Sequence, residues 1–189
     1  MQNTVPARGR GLPLLFLVAL GACLLALPAA INRGPIYFFD TAGYIRNGSV
    51  ALEKVLGLPA AAPVSEERDP ANPAPAVGED ANVKWANRSI YYGGVLALGD
   101  ALHAMSIVVV AHAVAAAWLL WLCWRLLGPA LPRPGGFAAF CAGLALLTPL
   151  GLFVAYLMPD MLYALVIPAV PLLLLFRDRL SRLEAAGLV

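Results

Sequence analysis

Charge is scarce in this chain. Only 13% of its 189 residues are Asp, Glu, Lys or Arg, against about 25% in a soluble domain. The net charge is +2, and no block of like charge appears, which excludes a nucleic-acid binder. There are three cysteines, Cys23, Cys123 and Cys141. Each sits alone in an apolar run, so neither a disulfide scaffold nor a zinc ribbon is encoded. The two histidines are His103 and His112. No nucleophile elbow, phosphate loop, zinc spacing or dinucleotide fingerprint is present. What is abundant is apolar: 61% of residues are hydrophobic, more than a soluble globule of this size can bury. A disordered chain is excluded on the same ground. The composition is that of an all-α integral membrane protein.

Four runs are long and apolar enough to be read as transmembrane helices: 11–31, 104–124, 136–157 and 161–176. A bilayer core of about 30 Å takes roughly 20 helical residues. The fourth run is short and contains Pro168 and Pro171, so it needs thinning of the bilayer or charged ends at Asp160 and Arg177. Gly128-Pro129 and Pro132-Arg133-Pro134-Gly135 mark a turn-rich connection over 125–135, and Met158-Pro159-Asp160 a tight break. Trp118, Trp121 and Trp124 read as an interfacial belt beside Arg125.

The charges orient the spans. Arg8, Arg10, Arg125, Arg133, Arg177, Arg179 and Arg182 would share one side with only Asp178 and Glu184. Nine acids and the other six bases would fall on the opposite side. Bases near span ends stay cytoplasmic. The reading is therefore N-in, C-in, with residues 1–10 and the tail 177–189 inside and residues 32–103 outside. Arg8 and Arg10 before an apolar run also match a signal peptide, but Leu27-Pro28-Ala29-Ala30 is a poor cleavage site, and an uncleaved anchor is expected.

The external segment divides into three pieces. Residues 40–57 place Tyr44, Ile45, Gly48, Ala51, Leu52, Val55 and Leu56 on one helical stripe, opposite Arg46, Asn47, Ser49, Glu53 and Lys54. Asp40 can cap this helix, Gly57 stops it, and Pro59 follows. An amphipathic helix lying in the headgroup layer or packed on the bundle is expected. Residues 58–87, with five prolines and five acids, read as a mobile loop. Residues 88–103 lead into the second span, with Asp100 and His103 spaced to share a helix face.

Acids at membrane depth are costly and so are candidate functional groups. Asp40, Asp100 and Asp160 would all fall on the outer edge. A carboxylate there can act as a general base or hold a divalent metal that neutralises a phosphate. Each also has a structural explanation: Asp40 and Asp160 as helix caps, Asp100 as a surface acid. His112, inside the second span, is read first as a side chain satisfied by a neighbouring helix. The small residues Ala138, Ala139, Ala142, Gly143 and Ala145 form a face for another helix of this chain, a partner or an oligomer.

The order of parts matters: an anchor, then Tyr37-Phe38-Phe39-Asp40-Thr41-Ala42-Gly43-Tyr44, an amphipathic helix and a variable loop. Arg88-Ser89-Ile90-Tyr91-Tyr92 then enters a span, and Met158-Pro159-Asp160 closes another. This resembles the N-terminal part of GT-C type membrane glycosyltransferases, the protein mannosyltransferase and aminoarabinose transferase kind. The resemblance implies sugar transfer from a polyprenyl-phosphate donor at the outer face of a bacterial inner (plasma) membrane. It implies Asp40 as catalytic base or metal ligand and Asp160 as a second acid near the donor phosphate, with Arg88 and Tyr91 bordering the donor. Thr41 stands where those enzymes carry the second residue of an Asp-Glu pair. The family has more than ten spans, so the chain is expected to be an incomplete module. The alternative is a non-catalytic small polytopic membrane protein or subunit.

Overall fold

A computed structural model of the protein describes residues 14–38, 40–57, 89–128 and 134–189. Among them the structure is all-helical. In chain order the helices are α1 (Leu14–Leu25), α2 (Leu27–Ile31), α3 (Thr41–Leu56), α4 (Ile90–Ala101), α5 (Ser106–Leu127), α6 (Pro134–Leu147), α7 (Leu150–Ala155), α8 (Asp160–Leu175) and α9 (Arg182–Gly187), with a 3-10 turn at Arg177–Arg179. Residues 1–10, the loop 58–87 and Arg88 lie outside the described residues.

Among the described residues one helix, α5, is long and apolar enough to cross a membrane. The other expected spans are interrupted or shorter, for identifiable reasons. The run 11–31 is α1 and α2, divided at Ala26 where Pro28 cannot donate a backbone bond. The backbone ladder continues through the division, Ala26 N to Ala22 O at 2.9 Å and Ala30 N to Ala26 O at 3.0 Å. The run 136–157 is α6 and α7, divided at Thr148-Pro149. There the Thr148 hydroxyl donates back to the Leu144 carbonyl and accepts from Leu150 N. The fourth run begins one residue earlier than expected, at Asp160, and keeps Pro168 and Pro171 inside the helix. The second run is displaced, to Ser106–Leu127 rather than 104–124.

The core forms around α5, which packs on α1, α4, α6, α7 and α8. Small residues let the helices close up. A methyl on Gly21 of α1 would lie 3.2 Å from the Cβ of Ala117 and 3.3 Å from the Cys141 sulfur. Phe137, fully buried, meets Trp121 edge-on at 5.4 Å. The tryptophans also pack within the bundle: Trp121 and Trp124 lie on Phe137 and Phe140, and Trp118 lies against Gly187. The small-residue stripe of α6 is only partly used; Ala145 packs on the core, while a Cβ on Gly143 would meet open space.

The segment 177–189 is not a loose tail. Ser181 and Glu184 form a reciprocal capping box at the start of α9. Arg125 at the end of α5 donates two bonds to the Glu184 carboxylate, at 2.6 and 3.1 Å. Burial alone would raise the Glu184 pKa, but the Arg125 guanidinium and Ser181 outweigh it and hold the carboxyl below its ordinary value of 4.5. A depressed folded pKa contributes stability above the unfolded value, and this is lost as the pH falls through the folded value. Amide-exchange protection of residues 182–187 should therefore be constant from pH 7 to about 5 and fall below 4.5. In Glu184→Gln it should be weaker at pH 7 and insensitive to acid. Equal acid sensitivity in both proteins would contradict the pairing.

Candidate functional site at the loop end of the bundle

At the end of the bundle opposite Arg125, two chain segments are stitched together. After α2 the chain runs extended, and Ile36 forms a parallel bridge to Tyr156. Ile36 N donates to the Ala155 carbonyl at 2.9 Å, and Leu157 N donates to the Ile36 carbonyl at 3.2 Å. The Thr41 hydroxyl, fully buried, accepts from Phe38 N at 2.9 Å and donates to the Leu157 carbonyl at 3.2 Å. Phe38 meets Tyr156 edge-on at 5.9 Å. The carbonyls freed where α7 ends are thereby satisfied by the segment that leads into α3. In a poorly hydrated setting each such group left unpaired would cost several kcal/mol.

This splice brings the two segments that carry Asp40 and Asp160 to one end. Asp40 precedes Thr41, and Asp160 follows Leu157 by three residues. Asp40 stands at the N-cap position of α3, as expected, but its side chain makes no capping bond and its backbone is already helical, with φ −83°. Thr41 supplies the side-chain bonds of this turn instead. Asp160 is the first residue of α8 and is exposed, where its charge opposes the helix dipole favourably. It caps nothing with its side chain; Pro159 occupies the N-cap.

α3 and α4 form the lid of this end. α3 ends as the sequence predicts, at Gly57 in the left-handed conformation with φ 65°. Its buried side is Thr41, Ile45, Gly48 and Ser49. Ser49, expected to face solvent, is 6% exposed and donates to the Arg46 carbonyl; Val55, expected on the apolar stripe, is 79% exposed. The face is set by the crossing with α4, where Gly48 and Gly93 bring the two backbones into contact. α4 is a full helix capped by Ser89, whose hydroxyl accepts from Tyr92 N at 3.3 Å. It ends at Ala101, and His103 adopts a left-handed backbone with φ 50°. Asp100 and His103 therefore do not share a helix face; they flank a turn.

Below the lid lies an aromatic stack that spacing alone does not reveal. Tyr44 meets Tyr92 edge-on at 5.8 Å, and Tyr92 stacks on His112 at 5.9 Å. His112 is 3% exposed. With its proton on Nδ1 it donates to the Val154 carbonyl at 3.4 Å and accepts the Tyr92 hydroxyl at Nε2 at 3.5 Å. The neighbouring-helix reading of His112 thus has named partners on α4 and α7. Burial, then Tyr44, then the charge of Asp160 push the Tyr92 phenol above its ordinary value. Tyr37 is raised as well, by burial and then by Asp100. The carboxylates of Asp100 and Asp160 thus lie within electrostatic reach of the same tyrosine-rich end.

A groove of about 330 Å³ opens between the starts of α4 and α8. Tyr91, Val95, Leu162, Tyr163 and Val166 supply most of its lining, with Ser89 and the buried Tyr92. Tyr91 is 91% exposed at its rim. Neither Asp40 nor Asp160 lines it, and Arg88 lies outside the described residues. Among the described residues no three His, Cys, Asp or Glu side chains converge to hold a metal. The chain matches no protein-family model, no curated protein and no solved structure.

Proposed function

We propose that the chain is a four-crossing membrane module whose outer end binds a polyprenyl-phosphate-linked sugar. Three observations support the crossings. The ladder is continuous through Ala26, so α1 and α2 act as one rod, while α6 and α7 follow one another across the Thr148-Pro149 break. Large apolar side chains face outward on the rods: Leu15 is 81% exposed, Ile167 75% and Leu174 76%. Patches of this kind on a monomer mark contact with protein or lipid. The bases Arg125, Arg177, Arg179 and Arg182 gather at the end away from Asp40 and Asp160, which orients that end to the cytoplasm.

The observation that carries the site is the bonding of Ile36 and Thr41 to residues 155–157, which couples the two acid-bearing segments. In the proposed chemistry the Asp40 carboxylate takes the proton of an acceptor hydroxyl. The acceptor oxygen forms a bond to the anomeric carbon, and the bond from that carbon to the phosphate oxygen breaks. The lipid phosphate leaves with the electron pair, near Arg88 and Tyr91. The groove between α4 and α8 is apolar and opens toward the exposed side of α8, as a prenyl chain requires. Its lining favours a second reading as well. Without Asp40 or Asp160 in it, the groove fits a non-catalytic module or subunit that holds a lipid or a partner helix.

The two readings part on turnover. In vesicles containing radiolabelled polyprenyl-phosphate mannose or aminoarabinose, the full chain should release label from the lipid above empty vesicles. Asp40→Asn should lower that release by on the order of a hundredfold, the contribution of a general base, while the helical content stays unchanged. Undiminished release by Asp40→Asn removes Asp40 from the chemistry. Binding of the donor without release supports the non-catalytic module.

A further inference from the structure

The geometry points to residues 177–189 as a docking surface for anionic phospholipid headgroups. This rests on the membrane reading above and adds a lipid specificity to it. The segment begins where α8 stops, directly after Leu174 and Leu175, which are 76% and 74% exposed. Arg177, Arg179 and Arg182 follow, all exposed. Among the described residues none of the three forms an ion pair; the Arg179 guanidinium lies 5.8 Å from the centre of the Phe176 ring. The one acid of the segment that could cancel them locally is Asp178, since Glu184 is held by Arg125.

The arginines are displayed and not loose. Leu180 and Leu188 pack with Leu119, Leu122 and Leu172. Gly187 reaches back to Trp118, nearly two turns before Arg125 on the same helix, so α9 returns along α5. α9 thus presents Arg182 and Leu183 outward; Leu183 is 86% exposed. Apolar side chains beside cations, on a short helix returning toward the apolar part of the bundle, suit the boundary between acyl chains and phosphates. There arginine stems lie along apolar surface while the guanidinium groups reach the phosphate layer. Guanidinium pairs with phosphate through two parallel bonds. Each basic residue near an anionic bilayer contributes about fivefold in affinity.

The test uses the full chain in vesicles of equal phosphatidylcholine and phosphatidylglycerol, extracted with its annular lipid in polymer discs. The lipid carried with the protein should be enriched in phosphatidylglycerol over the bulk. Arg177→Gln/Arg179→Gln/Arg182→Gln should return the carried lipid to about the bulk ratio. The triple lysine variant should keep most of the enrichment, and Asp178→Asn should increase it, so the result does not depend on one variant folding. Wild-type lipid at the bulk ratio, or a triple glutamine variant that keeps the enrichment, overturns the inference. Release of the chain from vesicles by an alkaline wash would overturn the membrane reading, and this inference with it.

Discussion

Gly48→Leu should detach α3 from α4 and lower the melting temperature of the purified protein by about 10 °C. The reason is steric. A Cβ on Gly48 would fall on the carbonyl of Gly93 and against the amide of Gly94. A methyl on Gly93 would lie 2.5 Å from the Tyr44 carbonyl. Both obstacles are backbone, and backbone inside two helices cannot turn aside as a side chain can. Overpacking typically costs about 1–3 kcal/mol, and a clash with main chain belongs at the upper end. With about 2–4 °C lost per kcal/mol in a chain of this size, the expected shift follows. Separation of the helices would also withdraw Tyr44 from Tyr92, and Tyr92 is the side chain that stacks on His112. The effect should therefore reach α5. Gly94→Ala is the internal control. Nothing lies within 4 Å of a Cβ there, and replacing glycine by alanine within a helix gains up to about 1 kcal/mol. A Gly48→Leu protein that melts with the wild type, or a Gly94→Ala protein that melts far below it, would contradict this crossing.

Helix α3 was the most legible element of the chain. Its apolar repeat, the acid at position 40 and the glycine at position 57 gave bounds that agree with Thr41–Leu56 and a left-handed stop. The facing of the helix was less legible. Periodicity counts Ser49 as polar and Val55 as apolar, but burial follows the Gly48–Gly93 contact, and a glycine's power to draw in another backbone has no weight in a hydropathy pattern. The pairing of Asp100 with His103 failed for a different reason. Helical spacing holds only while the helix lasts, and α4 ends at Ala101. The signal for a break was absent, since a left-handed backbone at 103 is carried by histidine and not by glycine.

Asp40 and Asp160 stand out in the sequence because charges in so apolar a chain are few. Their joining element does not. In the sequence Thr41 stands out only as the replacement of an acid, yet its hydroxyl and the Ile36 bridge connect the α3 entry to residues 155–157. Such a bond joins positions 116 residues apart, which no local pattern encodes. The docking of residues 177–189 was hidden for the same reason. The Ser181–Glu184 capping signature was available in the sequence, but its anchor, Arg125, belongs to another helix. The spacing of the tryptophans by three says nothing of their ring partners, Phe137 and Phe140, which come from α6.

Topology is the premise on which both the site and the lipid-docking surface stand, and its effect in labelling is all or none. The charges that orient the chain lie at opposite ends of the bundle: Arg125, Arg177, Arg179 and Arg182 at one, Asp40 and Asp160 at the other. Two exposed positions report on these ends, Glu53 on α3 and Leu183 on α9. Neither is part of a packed core, so a cysteine at either leaves the fold intact. The three native cysteines are first replaced by alanine; Cys141 is fully buried, so the replaced protein is checked for its helical content. The deciding measurement is the reaction of Glu53→Cys and Leu183→Cys with a membrane-impermeant maleimide, in intact cells and after the membrane is opened. The account predicts full labelling at position 53 in intact cells, and labelling at position 183 only once the membrane is opened. Labelling of position 183 from outside intact cells, or protection of position 53, would contradict it.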